Sequence, residues 1–402
     1  MKTRTVFYIL TAMYLTIGAI LLITQCHGGQ IAGAREARED AKAFRMASKA
    51  RLGFEARVTA IAETDTMPRN SGDDAADDPA IWVHPEQPER SLIWGTDKKG
   101  GLAAYDLTGK QLTYIASGLP NNIDVSYSFP IGKDTIDLLG VSDRQVPGIV
   151  IRAIDRSTGE ARELEGGRLE IPAEQMDEVY GFCMYHELAT HRHYAFVNSK
   201  DGNIFQYLIS AKPGADGIIL DLVRKLKVPS QPEGMVADGE LATLFVGEEG
   251  AGIWRFSARQ EEGTEGSLIP MTGMDNPEIR YDVEGLALYL GSQGKGYLLA
   301  SSQGNFSYAL FTRESPYTYL GSFVIMDTQL IDGVEETDGL DLINLPLGTD
   351  FPSGLLVVQD GYNYDGNRPR PQNFKYIPWE RVNAALKLPL GMDTTYSAWM
   401  GR

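Results

Sequence analysis

Cysteine is almost missing. Only Cys26 and Cys183 occur in 402 residues, and the first falls in an N-terminal export segment, so no internal disulfide can staple the body. Positive charge is scarce as well: 37 Lys and Arg stand against 54 Asp and Glu, a formal charge of −17. That balance argues against nucleic acid as a partner, because a duplex asks for a basic footprint. None of the five His residues stands at a recurring position of the chain's internal repeats, which speaks against a His- and Cys-built zinc or copper site there. What is present is a real core, with 43% apolar residues and 9% aromatics. The 43 Gly and 20 Pro interspersed among 19 Tyr and 14 Phe predict many short strands joined by tight turns, an all-β chain.

Lys2 and Arg4 precede Val6 to Gln25, a run without charge. It exceeds the ~7–15 apolar residues of a cleavable signal and matches the ~20 that span a bilayer. Residues 1–28 are therefore expected to be a signal peptide or membrane anchor, the anchor being residues 6–25. Ile23 to Cys26 also resembles a lipoprotein site, with bulky Gln25 against it. The body is expected to be exported: periplasmic, secreted, or anchored on the extracytoplasmic side. Residues 29–57, rich in Ala, Arg, Glu and Lys from Ala32 on, read as a polar helical stalk or linker, and residues 58–402 as one domain.

Within that domain a strand-like phrase recurs six times: GLAAYDL from Gly101, GIVIRAI from Gly148, GNIFQYL from Gly202, GIWRFSA from Gly252, NFSYALF from Asn305 and NFKYIPW from Asn373. The starts step by 47, 54, 50, 53 and 68 residues. A second phrase interleaves, an acid, amide or Tyr before an apolar strand: DDPAIW from Asp77, NNIDVSY from Asn121, VYGFCMY from Val179, PEGMVAD from Pro232, VEGLALY from Val283 and TDGLDLI from Thr337. Six units of about fifty residues predict a six-bladed β-propeller of four- to five-stranded antiparallel blades, preceded by the hydrophobic helix and the stalk. Equivalent turns then converge on one rim of the central channel.

Cations stand before the first phrase in the early blades, at Lys98, Lys99, Arg144 and Lys200, and acids or amides in the later ones, at Glu248, Glu249, Gln303, Gln359 and Asp360. Before the second phrase stand Asp77, Asp78, Asn122, Asp124, Glu178, Tyr180, Glu233, Asp282, Glu284 and Asp338. The expected result is a bowl with a basic wall facing a carboxylate wall. Crowded carboxylates raise one another's pKa unless a counter-charge is supplied. Oxygen donors without His or Cys favour calcium, and Lys with Arg opposite suits phosphate oxygens. Oxygen-bound metal beside such cations reads as phosphoryl chemistry. A chain at −17 would repel a polyanion at long range, so metal is expected to serve binding as well as chemistry.

Ten ordered phrases resemble the β-propeller phytases, calcium-dependent alkaline phosphatases of inositol phosphates. They are DDAADDPAIW (Asp73 to Trp82), DKKGGLAAY (Asp97 to Tyr105), NNIDV (Asn121 to Val125), DEVYGF (Asp177 to Phe182), EGMVAD (Glu233 to Asp238), DVEGL (Asp282 to Leu286), LLASSQGN (Leu298 to Asn305), ETDGLD (Glu336 to Asp341), QDGYN (Gln359 to Asn363) and NFKYIPWER (Asn373 to Arg381). The resemblance implies several calcium ions at the channel mouth and two neighbouring phosphate sites, one for cleavage and one for affinity. It implies that Lys98, Arg144, Tyr180 and Lys200 hold the phosphate being cleaved, and that Glu233, Glu249 and Glu284 hold calcium bridging to it. Asp77, Asp78, Asp282, Asp332, Asp338 and Asp360 are implied as further calcium ligands. His84, Asp97 and the Gly100–Gly101 pair depart from the pattern.

The expected activity is calcium-dependent hydrolysis of phytate and lower inositol phosphates, of the 3-phytase type, by calcium-bound water attacking phosphorus in line. The sequence has no RHG-type histidine phosphatase phrase and no DxDxT phrase. A monomer is expected. Two rival readings remain at this point: a calcium propeller lactonase or organophosphate hydrolase, and a non-catalytic propeller that captures inositol phosphates.

Overall fold

Strands buried on both faces read as unbroken apolar runs, and strands covered on one face alternate. Both kinds occur in each repeat. In the computed structural model, which describes residues 38, 40–68, 74–389 and 391–400, Ala76–Trp82 is buried at every position, whereas Gln111–Ala116 has none buried. The first is the innermost strand of a blade and the second its outer edge, with Leu92–Asp97 and Gly101–Tyr105 between them.

Five more antiparallel sheets repeat this plan. The inner strands are Pro120–Ile131, Val179–Glu187, Pro232–Asp238, Val283–Leu290 and Leu340–Ile343. Each inner strand touches the next, and the sixth touches the first, so the ring closes as a six-bladed propeller. Closure is made by strand exchange between the two ends of the body. Ala62–Glu63 forms the outer edge of the sixth blade, pairing antiparallel with Asn373–Pro378. Ala56–Val58 adds a fifth strand to the fifth blade, parallel to Tyr319–Ile325.

The cores lie between the blades. Phe129, Leu138, Phe182 and Phe205 fill the contact of the second and third blades, and Tyr185, Tyr194, Leu244 and Phe256 that of the third and fourth. The approach is close: a methyl group on Gly140 would lie 2.5 Å from the Phe182 ring. Cys183, the residue after Phe182, is buried as a free thiol in the contact of the third and fourth blades.

The chain divides into two units, residues 1–50 and 51–402. In the first, the polar stretch is helical over 40–50. The expected hydrophobic segment at residues 1–28 lies outside the described residues. Among the described residues no helix is long and apolar enough to cross a membrane.

Candidate active site

Both recurring phrases begin at the same end of the propeller. Ala76 pairs with Asp97 and Asp97 with Gly101, so the start of the inner strand and the turn into the third strand share one rim. The same register brings Pro232, Glu248 and Gly252 together in the fourth blade.

At that rim the first five inner strands carry the same irregularity. Between Ala76 and Pro79, Pro120 and Ile123, Val179 and Phe182, Pro232 and Met235, and Val283 and Leu286, the inner strand holds one residue more than its neighbour. A bulge of this kind twists the strand and re-aims its side chains. The bulged residues are Asp77, Asp78, Asn121, Asn122, Tyr180, Glu233 and Glu284. In three of these blades, and at the matching place in the sixth, the functional residue is followed by Gly, and the glycine lies against the next blade. A Cβ on Gly234 would sit 2.2 Å from the Glu284 carbonyl oxygen, and one on Gly339 would sit 2.1 Å from Asp78 Oδ1. Only glycine lets one blade's acid approach the next so closely.

The outcome is a carboxylate wall. Glu233, Glu249 and Glu284 present ligand oxygens that lie within 4.8 Å of one another. Asn121 Nδ2 donates to Glu233 Oε1 at 2.9 Å, and Gln231 Nε2 donates to Glu249 Oε1 at 2.6 Å. Oε2 of Glu284 and Oδ2 of Asp77 are buried without a hydrogen-bond partner. Burial, then the neighbouring Glu233, holds the Glu284 carboxyl well above its usual range. Burial, opposed by the hydrogen bond from Gln231 and assisted by Glu233 and Asp282, pushes Glu249 up to about 7.

Opposite stand the cations. Lys98 Nζ reaches Asp74 Oδ1 at 2.6 Å, Asp77 Oδ1 at 3.1 Å and Asp338 Oδ2 at 3.1 Å. Asp338 also accepts from Gln303 Nε2 at 2.8 Å. Arg144 Nη2 donates to the Lys98 carbonyl at 3.3 Å, and its Nε is buried without a partner. Lys200 Nζ lies 4.6 Å from the centre of the Tyr180 ring and 2.8 Å from Glu178 Oε1. Burial, then Glu233, Asp77, Glu284 and Glu249, raises the Tyr180 hydroxyl far above its ordinary pKa, so it remains a donor.

The other expected ligands are placed differently. Asp78 turns toward the second blade, where its Oδ2 accepts from Asn122 Nδ2 at 3.2 Å and from Ile123 N at 3.0 Å. Asp282 precedes the fifth inner strand, outside the converging trio but close enough to act on Glu249. Asp332 and Asp360 lie together in the sixth blade around Lys375, whose Nζ is 2.5 Å from Asp332 Oδ1, 3.3 Å from Asp360 Oδ2, 3.2 Å from Asn363 Oδ1 and also in contact with Glu63. His84, a departure from the family pattern, follows the end of an inner strand, away from the mouth, where its Nδ1 accepts from the amides of Glu86 and Gln87. Asp97 accepts from Lys99 N and Tyr114 Oη, closing the turn that carries Lys98.

Asp74, Asn121 and Gln231 were not selected from the sequence, although each touches a residue that was. Asn121 and Gln231 had a signal, an amide one or two positions ahead of a repeated site residue.

A family model described as Phytase matches residues 38–396. A 3-phytase of Bacillus subtilis (strain 168) is 42% identical over 329 residues, covering 81% of this chain and 84% of that relative. Crystal structures of BBS1N in complex with ARL6DN, soaked with lead and with mercury, align at TM-scores of 0.40 and 0.41. They are 12% and 10% identical, and each alignment covers 74% of this chain and 77% of the other, a likeness too remote to inform the site. The family match runs through every blade that builds the mouth, from the exchanged first strands to the sixth inner strand, and the chain belongs to the phytase family of enzymes.

Proposed function

We propose that this phytase removes phosphate from phytate and lower inositol phosphates in a calcium-dependent reaction at the channel mouth, by direct attack of water on phosphorus. The observation that carries the reading is the convergence of Glu233, Glu249 and Glu284 within 4.8 Å, while the lysines of the mouth are engaged by other acids, Lys98 by Asp74, Asp77 and Asp338 and Lys200 by Glu178.

These residues fit calcium. They are hard oxygen donors, and burial has raised all three carboxyls, a cost that a divalent ion offsets. The partnerless oxygens of Glu284 and Asp77 are available to it. Asp282 stands beside them as a further ligand, and Asp338 would join by exchanging its 3.1 Å contact with Lys98 for the ion. Calcium held there would supply positive charge to the phosphate oxygens and would lower the pKa of the attacking water. Asp332 and Asp360 do not fit in the same way: Lys375 already lies at 2.5–3.3 Å from oxygens of Asp332, Asn363 and Asp360. The Lys375 ammonium already supplies these oxygens with the positive charge that a calcium ion would bring.

The chain's own groups bind and orient the ester. Lys98, Arg144 and Lys200 donate to phosphate oxygens as charge spreads over them, and the protonated Tyr180 hydroxyl adds a neutral donor. Asn121 and Gln231 fix the rotamers of Glu233 and Glu249. His84, His186, His191 and His193 lie at or beyond the far ends of the inner strands or in the adjoining turn, so none offers a nucleophile to the mouth. The enzyme is proposed to act outside the cytoplasm, exported or anchored by residues 6–25, and to be a monomer.

Phosphate release from phytate near neutral pH, measured with calcium, with EDTA and after calcium is restored, tests the reading. A fall of roughly 100-fold in EDTA, reversed by calcium, is expected, of the size lost with one main electrostatic stabiliser. Full-rate hydrolysis in EDTA overturns it.

A further inference from the structure

Two lysines of the mouth, Lys98 and Lys200, are already paired with exposed carboxylates. An ammonium has three protons to donate, and Lys98 meets three carboxylates. Two of them are fixed: Asp77 is buried, and Asp338 is held by Gln303 Nε2 at 2.8 Å and, through its backbone amide, by Gln359 Oε1 at 2.9 Å. The third, Asp74, has a side chain 64% exposed, and among the described residues its ion pairs are to lysines, Oδ1 to Lys98 at 2.6 Å and Oδ2 to Lys99 at 3.5 Å. Two anionic oxygens, one on each of two adjacent ammonium groups, is the arrangement that a phosphate monoester would make. Lys200 repeats the theme. Its exposed-side partner is Glu178, 53% exposed, while the Tyr180 ring covers its other side.

We propose that Asp74 and Glu178 are affinity-determining residues that occupy the places of substrate phosphate oxygens at Lys98 with Lys99 and at Lys200, so that substrate binds by exchanging with them. The inference rests on the reading that Lys98 and Lys200 hold phosphate. A phosphate dianion carries more charge than a carboxylate and can take both lysines at once, so exchange favours it once calcium has offset the surrounding acids. The resident carboxylates keep the lysines charged and extended toward the mouth between turnovers. They also set a threshold that a weakly charged anion does not pass.

Titration of inorganic phosphate into the calcium-loaded protein, followed calorimetrically, tests this with four variants, alongside KM for phytate. Asp74→Asn is expected to bind phosphate about fivefold more tightly and to lower KM by a similar factor, the size of a strong exposed ion pair. Glu178→Gln is expected to shift both in the same direction by roughly twofold. Asp216→Asn removes an equally exposed carboxylate at the blade periphery, where it pairs with Arg162 at 2.9 Å, and is expected to change neither. Lys98→Ala is expected to weaken phosphate binding. Unchanged or weaker phosphate binding in Asp74→Asn while Lys98→Ala also weakens it overturns the exchange alone. Phosphate binding indifferent to Lys98→Ala overturns the underlying reading. A gain in Asp216→Asn equal to that in Asp74→Asn shows a general field effect and overturns the exchange, as does a loss of calcium affinity in Asp74→Asn, which would make Asp74 a servant of the cation.

Discussion

Two acid clusters, one at the channel mouth and one in the sixth blade, solve the same electrostatic problem in opposite ways. In the sixth blade Glu63, Asp332 and Asp360 surround Lys375, a fully buried side chain delivered by the third strand. Burial opposes the ammonium, but Asp360, Asp332 and Glu63 outweigh it and hold the lysine pKa above its ordinary value. At the mouth Glu233, Glu249 and Glu284 converge within 4.8 Å, and the nearest lysines belong to other acids. One cluster carries its cation in the chain, and the other is left to acquire one. The difference separates stability from function, because a cation that is part of the fold cannot exchange and one that is borrowed can meet a substrate.

The largest effect is expected from Lys375→Met, which leaves three carboxylates without their ammonium and should cost about 3–5 kcal/mol in chemical denaturation, the usual result of removing one partner of a buried charge pair. The same variant sharpens the contrast, since its sixth blade would now resemble the mouth: millimolar calcium should recover part of that loss, and recovery of none would show that the acids there lack the geometry to accept an ion. Next is Glu284→Gln at the mouth. Turnover on phytate should drop roughly 100-fold, while the unfolding midpoint in EDTA should hold or rise, because the substitution relieves repulsion with Glu233. A fall in the EDTA midpoint comparable to that of Lys375→Met would erase the distinction between the two clusters.

The contrast was only half legible in the sequence. Lys98, Arg144, Tyr180, Glu233 and Glu284 stood out because a propeller returns equivalent positions to one rim, and a repeat of near-constant step shows which positions are equivalent. The glycine after Tyr180, Glu233, Glu284 and Asp338 was visible too, but its reason, contact with the next blade's backbone, is a tertiary fact. The bulges are marked by that glycine in three blades and by nothing in the first two. Lys375 escaped notice because its partners come from a distant exchanged strand, Glu63 lying 312 positions away, and from a loop 43 positions away at Asp332. Asp74 was hidden by its neighbours, one acid among four in DDAADD, with spacing unable to say which of them faces Lys98.

The smallest expected effect is a pH dependence that separates the clusters without any mutation. Burial, then Glu233 and Asp282, lifts Glu249 to about 7 in the folded protein, and Glu284 is raised as well, whereas an unfolded Glu titrates near ~4.3. Between these values the native state holds protons that the unfolded state has lost, so raising the pH favours unfolding, and the slope ends once the folded groups ionise. Calcium binds the ionised carboxylates and removes that penalty. Other buried groups act in both conditions: Asp124, lifted to about 7, and Asp341, to about 6, favour unfolding as pH rises, and His186, lowered to about 4, and His193, to about 3, favour it as pH falls. Their contributions cancel in the difference between urea midpoints measured with calcium and with EDTA. That difference should widen from pH 5 upward through about 8, where Asp338, lifted to about 8 chiefly by burial, ionises as well. Lys375 keeps its charge throughout this range, and the neighbouring Asp360, lifted to about 7 by burial, titrates alike with calcium and with EDTA and so cancels in the difference; parallel calcium and EDTA curves would mean that the mouth acquires no ion through these carboxylates.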